Sequence, residues 1–150
     1  GTLEETMALL SAYASQKGIS FNVNIPQPAE AFIDPEILKL VARNLITNAL
    51  KFTPKEGVVN VITERSGDLW IISVRDTGIG IKPENLKKLF SLDLNKSEEA
   101  TEGEKGTGLG LLVCYEFILK SGGKIWAESE LNKGTSFYFT IPAAAQANKR

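Results

Sequence analysis

The chain is 150 residues long, 43% hydrophobic, 8% aromatic and 23% charged, a size and balance that suit one globular domain with a real core and exclude a disordered chain. Its 17 Lys and Arg nearly cancel its 18 Asp and Glu, and a net charge of −1 gives no electrostatic reason to expect a nucleic acid or an anionic membrane as partner. The absence of histidine and the single cysteine, Cys114, exclude a Ser-His-Asp triad, a histidine zinc site and an internal disulfide, and suit a reducing, cytoplasmic compartment.

No apolar run reaches the roughly 18 residues of a spanning helix, and no signal-peptide pattern opens the chain. Gly1-Thr2 is expected to be an internal boundary, so the chain reads as one domain of a longer protein. Thr2-Leu3-Glu4-Glu5 has the form of a capping box, and Leu3, Met7, Leu10 and Ala14 line one face of a helix running to about Lys17. Gly18 ends it. Ile19, Phe21, Val23 and Ile25 alternate with polar residues and predict a half-buried strand. Asp34-Pro35 opens a second helix, expected to reach about Lys51 before Pro54.

Val58 to Glu64 and Leu69 to Val74 predict a hairpin around Ser66-Gly67-Asp68. Pro83 opens a short helix through Phe90. Ser91 to Lys105 is charged and aperiodic. Thr107 to Lys120 reads as a third long helix closed by Gly122-Gly123. Lys124 to Glu130 and Thr135 to Ile141 predict a last hairpin, ended by Pro142. The core is expected from about residue 3 to 142, with a frayed tail over 143–150. Strands in hairpins with helices between them make the class α+β, a mixed sheet covered by helices. Trp70, Trp126 and Cys114 read as packing residues, and Glu116 as a surface charge.

Three segments carry chemistry. Asn44, Asn48 and Lys51 fall at i, i+4 and i+7 and share a helix face distinct from the apolar one of Leu38, Ala42, Leu45 and Ala49. Two asparagines cost helix propensity, while an amide oxygen suits Mg²⁺ and a lysine suits phosphate. Alone, the segment fits a solvated polar face better. Asp76-Thr77-Gly78-Ile79-Gly80 follows a strand; its carboxylate could accept from an exocyclic amine while the glycines let backbone approach a flat ligand, and a plain Asx turn fits equally. Gly106-Thr107-Gly108-Leu109-Gly110-Leu111 leads into a helix N-terminus, a setting for phosphate or for a hinge. It is neither the dinucleotide-binding fingerprint nor a Walker A loop.

In this order and at these intervals the three segments resemble the N, G1 and G2 boxes of the catalytic ATP-binding domain of two-component sensor histidine kinases. The likeness runs from about Leu3 to Pro142 and includes Gly122 to Ser129 and Gly134-Thr135-Ser136-Phe137. It implies a Bergerat-type α/β sandwich: a mixed, mostly antiparallel sheet with three helices packed on one face and ATP between helices on that side. By position, Asn48 is expected to bind Mg²⁺, Lys51 to reach a phosphate, Asn44 to stand beside metal and triphosphate, and Phe52 to border the adenine. Asp76 is expected to accept from the adenine amine, with Gly78 and Gly80 clearing room, Ile81 covering the ring and Thr135 helping Asp76 directly or through a water. Gly106 to Gly110 would cradle the phosphates through the backbone N–H groups of Thr107, Gly108 and Leu109, with Lys105 placed to help. The family's F box has two phenylalanines; here only Phe90 is present, with Leu92 and Leu94 where the second would fall, so lid packing does not follow from the resemblance.

The activity so implied is γ-phosphoryl donation from Mg-ATP to a histidine on a separate, upstream helical-hairpin domain, with a response-regulator receiver as the indirect partner and dimerisation only through that hairpin. No nucleic-acid or membrane contact is expected of this domain, although the parent protein could be membrane-anchored. Hydrolysing relatives such as type II topoisomerases and the large heat-shock chaperones carry glutamate where Asn44 stands, and asparagine cannot be a general base. A degenerate binding module and a serine kinase of the anti-sigma-factor type remain as alternatives. Ser91 to Lys105 has five acidic and two basic residues and is expected to be the ATP lid, ordering when nucleotide binds.

Overall fold

The computed structural model describes residues 3–24, 33–86, 89–90 and 109–143. Helix α1 (Leu3–Lys17) precedes β1 (Ser20–Val23), α2 (Pro35–Phe52), the β2 (Val58–Ser66) and β3 (Leu69–Asp76) hairpin, the single turn α3 (Pro83–Leu86), α4 (Leu109–Lys120) and the β4 (Ile125–Glu130) and β5 (Gly134–Pro142) hairpin. One sheet takes all five strands in the order β1-β2-β3-β5-β4. Only β1 and β2 are parallel, joined through α2 as a parallel pair requires; the remaining pairs are antiparallel. The α+β class and the mixed, mostly antiparallel sheet are as the sequence predicts, with α3 a fourth, minor helix beside the three long ones.

The helix-facing side of the sheet is apolar in ordered rows. Val61, Val74, Phe137 and Ala127 lie side by side across four strands, and Ile72, Phe139 and Ile125 form the next row. Against them pack Leu38, Val41, Leu45, Ile46 and Leu50 of α2, Cys114 and Ile118 of α4, and Met7, Leu10 and Ala14 of α1. Each fully buried Leu, Ile or Phe contributes roughly 1.5–3 kcal/mol of hydrophobic stabilisation. The opposite sheet face is wetter: Trp126 stacks on Tyr138 at 5.2 Å, and the Arg75 guanidinium lies 5.9 Å from the Tyr138 ring centre.

Local chemistry sets the boundaries of α2. Asp34 Oδ1 accepts from Glu36 N–H at 2.8 Å, and Pro35 occupies the first turn. At the other end Thr53 Oγ1 donates to Ala49 O at 2.7 Å. The buried Lys17 ammonium, from the last turn of α1, donates to the carbonyls of Leu50 at 2.7 Å and Lys51 at 3.1 Å. A cation at a helix C-terminus satisfies end carbonyls and opposes the negative dipole end together.

Several boundaries differ from expectation. β3 continues two residues past Val74, because its ladder with β5 pairs Arg75 with Ser136 and Asp76 with Thr135. β1 is shorter than Ile19 to Ile25 and is an edge strand; Ile19 is buried and Phe21 half-buried, but Val23 is 41% exposed. Alternation sets which way a side chain points, whereas burial needs a helix above it. The described part of α3 ends at Leu86, and Leu89 and Phe90 lie in a turn that stacks Phe90 on Tyr115 at 5.4 Å. Pro142 is the last residue of β5, as expected, but the residue after it, Ala143, is buried and donates its N–H to Asp68 O at 2.9 Å, so Ala143 does not belong to a frayed tail. Ile25, Lys87-Lys88, the segment Ser91 to Gly108 and residues 144–150 lie outside the described residues.

Lys17→Met keeps the apolar stem but removes the donor to two α2 carbonyls. It should destabilise the domain by about 1.5–3 kcal/mol, as expected for hydrogen bonds from a charged group, read as a lower urea midpoint with an unchanged slope.

Candidate functional site

Asp76 is the last residue of β3 and lies on the helix-facing side, where the apolar rows give way to a polar one. It is only 9% exposed. Its Oδ1 accepts from Gly78 N–H at 2.8 Å and from Thr135 N–H at 3.2 Å. Burial pushes the carboxyl up to about 6 from an ordinary 3.8, and the two backbone N–H groups pull it back only in part. The group is therefore ionised near neutral pH, yet at a cost to the fold.

The loop after Asp76 is held on both sides. Ile79 N–H donates to Phe52 O at 3.1 Å, Asn132 N–H to Ile79 O at 2.8 Å, and Ile81 N–H to Ser129 Oγ at 2.8 Å. A Cβ at Gly78 would stand 2.3 Å from Phe52 O, and one at Gly80, where φ is +80°, would stand 2.3 Å from Glu130 O. Both glycines are thus required by backbone packing, whatever ligand the loop meets. Phe52 and Ile81 are half-buried at the borders of this loop.

α2 carries Asn44, Asn48 and Lys51 half-buried along one side. Asn44 lies under α4: a Cβ on Gly110 would be 3.5 Å from Asn44 Cγ, and Asn44 Nδ2 donates to Cys114 Sγ at 3.7 Å. The contact holds the Asn44 amide against the start of α4. The Cys114 thiol is buried and is pushed up to about 11, first by that burial, with Asn44 and Arg43 opposing it. It is a packing residue with little thiolate character near neutral pH.

The structure brings Phe52, Asp76, Gly78, Gly80, Ile81 and Thr135 together at the sheet end, and Asn44 beside Gly110. Thr135 meets Asp76 through its backbone N–H, while its hydroxyl lies 2.8 Å from Ser129 Oγ. Lys105, Gly106, Thr107 and Gly108 lie outside the described residues; Leu109 opens α4. Sequence reasoning missed Ser129. Its signal was available: Ile125, Ala127 and Ser129 alternate onto the helix-facing side, and a hydroxyl there interrupts an apolar series.

Among the described residues no three His, Cys, Asp or Glu side chains cluster as metal ligands, so a metal at this site would take most of its oxygens from elsewhere. No helix of the described residues is long and apolar enough to cross a membrane.

Residues 33–145 match the family described as histidine kinase-, DNA gyrase B- and HSP90-like ATPases, and the chain belongs to that family. Within it, the fold is of the histidine kinase type. The catalytic domain of the histidine kinase ThkA, free of nucleotide, superposes with a TM-score of 0.76 at 30% identity over 93% of this chain and 89% of that one. Full-length ShkA in complex with AMPPNP gives 0.75 at 28% identity, over 95% of this chain and 29% of that one. By sequence the chain is 36% identical over 129 residues to the adaptive-response sensory kinase SasA of Gloeothece citriformis, covering 85% of this chain and 32% of that protein. It is 40% identical over 111 residues to cyanobacterial phytochrome A of a Nostoc species, covering 72% of this chain and 14% of that protein. The chain therefore spans a third or less of the length of these two relatives.

The raised Asp76 pKa fixes the sign of a pH effect. Folding favours the protonated acid relative to the unfolded chain, so this group's contribution to stability is full below about pH 4 and lost as pH rises through about 6. Asp76→Asn keeps an oxygen for the Gly78 and Thr135 N–H groups without the buried charge. It should be about 1–3 kcal/mol more stable than the native chain near neutral pH, and the gap should close in denaturant titrations below about pH 4.5.

Proposed function

We propose that this domain binds Mg-ATP and donates its γ-phosphoryl group to a histidine on another domain. The observation that carries the reading is the state of Asp76: one carboxylate oxygen is saturated by two backbone N–H groups, and the other is left as an acceptor beside a loop fixed by close backbone packing at Gly78 and Gly80. An exocyclic ring amine meets that acceptor; a ring carbonyl is repelled by it. The Asn44, Asn48 and Lys51 face of α2 then runs from this base pocket toward α4, as a triphosphate would.

The donor set fits magnesium. The Asn48 amide oxygen is a hard, neutral ligand, and Mg²⁺ commonly takes one or two side-chain oxygens with phosphate oxygens and waters completing its shell. Bound there, the ion would neutralise charge on the transferring phosphoryl group. Lys51 is assigned to the phosphates, as are Lys105 and the backbone of Gly106 to Gly110. Asn44, its amide held toward Cys114, is assigned to orienting the reacting end and cannot deprotonate water. Phosphoryl transfer of this kind depends mainly on positioning and charge.

The acceptor histidine is not in this chain, which contains none. We assign it to a helical-hairpin domain preceding α1, with a response-regulator receiver as the next acceptor and with the cytoplasm as the compartment. Joined to such a hairpin, the domain should form an acid-labile, base-stable phosphohistidine from ATP; alone, it should bind ATP and hydrolyse it negligibly. Fast phosphate release by the isolated domain, lost in Asn44→Ala, would replace the kinase reading with a hydrolase one.

Calorimetry tests the binding half. Asp76→Asn should weaken ATP by about ten- to a hundredfold, the worth of one buried charge-assisted hydrogen bond, while GTP should bind poorly to the native domain. Asn48→Ala should abolish the tightening of ATP binding by Mg²⁺; equal tightening in that variant would remove Asn48 from the metal shell.

A further inference from the structure

The polar row at the sheet end has three members. Asp76 of β3 pairs with Thr135 of β5, and Thr135 pairs with Ser129 of β4. Asp76 and Thr135 are buried and Ser129 is half-buried, so the direction of each proton in the row is decided by the protein.

Ser129 has one proton and two lone pairs to distribute. Ile81 N–H donates to its Oγ at 2.8 Å, filling one lone pair. Gly134 O, 3.0 Å away, is a carbonyl and can only accept, so it takes the serine proton. The third neighbour is Thr135 Oγ1 at 2.8 Å. With the serine proton committed to Gly134, the proton between the two hydroxyls must come from Thr135. All three contacts of Ser129 are then satisfied together. The alternative, Ser129 donating to Thr135, leaves Gly134 O facing an oxygen lone pair at 3.0 Å.

The consequence falls on Thr135. With its proton turned toward β4, Thr135 Oγ1 has only lone pairs left to offer the cavity that Thr135 and Asp76 line together. Its neighbour Asp76 has Oδ1 filled by the Gly78 and Thr135 N–H groups. Two oxygens at this end of the pocket therefore accept and none donates. We propose that Ser129 is a positioning residue that holds the Thr135 hydroxyl proton away from the base, so that this end of the pocket selects a ring amino group over a ring carbonyl. The inference rests on the nucleotide reading above and extends it from Asp76 to a residue that does not touch the base. A hydroxyl free to rotate would donate to a ring carbonyl as readily as it accepts from an amine, and base selection would then depend on Asp76 alone.

The test compares ATP with inosine triphosphate, which carries a ring carbonyl in place of the amine and lacks the extra amino group of guanine. Both are titrated calorimetrically, with Mg²⁺, into the folded domain. The native domain should prefer ATP. In Ser129→Ala the ratio of the two affinities should fall by roughly three- to tenfold, one neutral hydrogen bond's worth. Any loss from the orphaned Ile81 N–H weakens both nucleotides alike and cancels in the ratio. Ser129→Thr keeps a hydroxyl and should retain the native ratio. In a Thr135→Val background, Ser129→Ala should leave the ratio unchanged, because no hydroxyl remains to redirect. A native ratio in Ser129→Ala, or an equal fall in the Thr135→Val background, overturns the inference and leaves the nucleotide reading standing. A native domain that binds neither triphosphate overturns both.

Discussion

The last turn of α2 and the loop that follows β3 run so close that no side chain fits between them. A Cβ at Gly78 would meet Phe52 O at 2.3 Å, and the same carbonyl takes the N–H of Ile79. The two carbonyls before it, Leu50 and Lys51, are held by the Lys17 ammonium. Three successive carbonyls at the negative end of the helix dipole are therefore each bonded to a donor from outside the helix. One donor comes from α1 and one from the loop after β3. That contact sets where the polar face of α2 stands relative to Asp76, and the site cannot exist without it.

The remaining walls are set by equally close backbone contacts. A Cβ on Gly134 would lie 2.0 Å from Asp76 O, and one on Gly80 would collide with Glu130 O. These positions bind the β4–β5 turn to the loop after β3 from the side opposite α2. A loop clamped between a helix end and a hairpin turn is pre-organised, so little ordering entropy is left for a ligand to offset at the Asp76 end of the site. The far end of the polar face of α2 is built differently: there the contributing elements are α2 and the start of α4, joined through Asn44, Gly110 and Cys114.

Within this frame the buried carboxylate works against the fold that holds it. Its two backbone hydrogen bonds do not offset its desolvation, which is why its pKa lies near 6. A neutral residue would suit the apolar rows beside it better. Sites that bind charge or accept strong hydrogen bonds commonly trade stability in this way. The large core of Phe137, Phe139, Ile72 and the buried face of α2 supplies the margin that makes the trade tolerable.

Periodicity, caps and punctuation in the sequence were enough to determine the element order. Asp34-Pro35 starts α2 and Gly18 ends α1, because capping and glycine chemistry are local. The Asn44, Asn48 and Lys51 face follows from helical spacing alone, and the glycines around Asp76 mark a place where backbone must come close. What local chemistry could not decide was partnership. The ladder with β5 carried β3 on to Asp76, and the edge position of β1 left Val23 exposed despite its alternation. Lys17 reads in sequence as an ordinary helix-ending lysine; only the approach of α2 makes it a buried cap. Ser129 shows in sequence only as a hydroxyl that interrupts an apolar alternation; its partners are decided when β5 and the loop after β3 bring Gly134, Thr135 and Ile81 to it. Local propensities act between near neighbours in the chain, whereas a proton's direction or a carbonyl's partner depends on groups many residues away, and those are brought together only by the packing of the sheet against its helices.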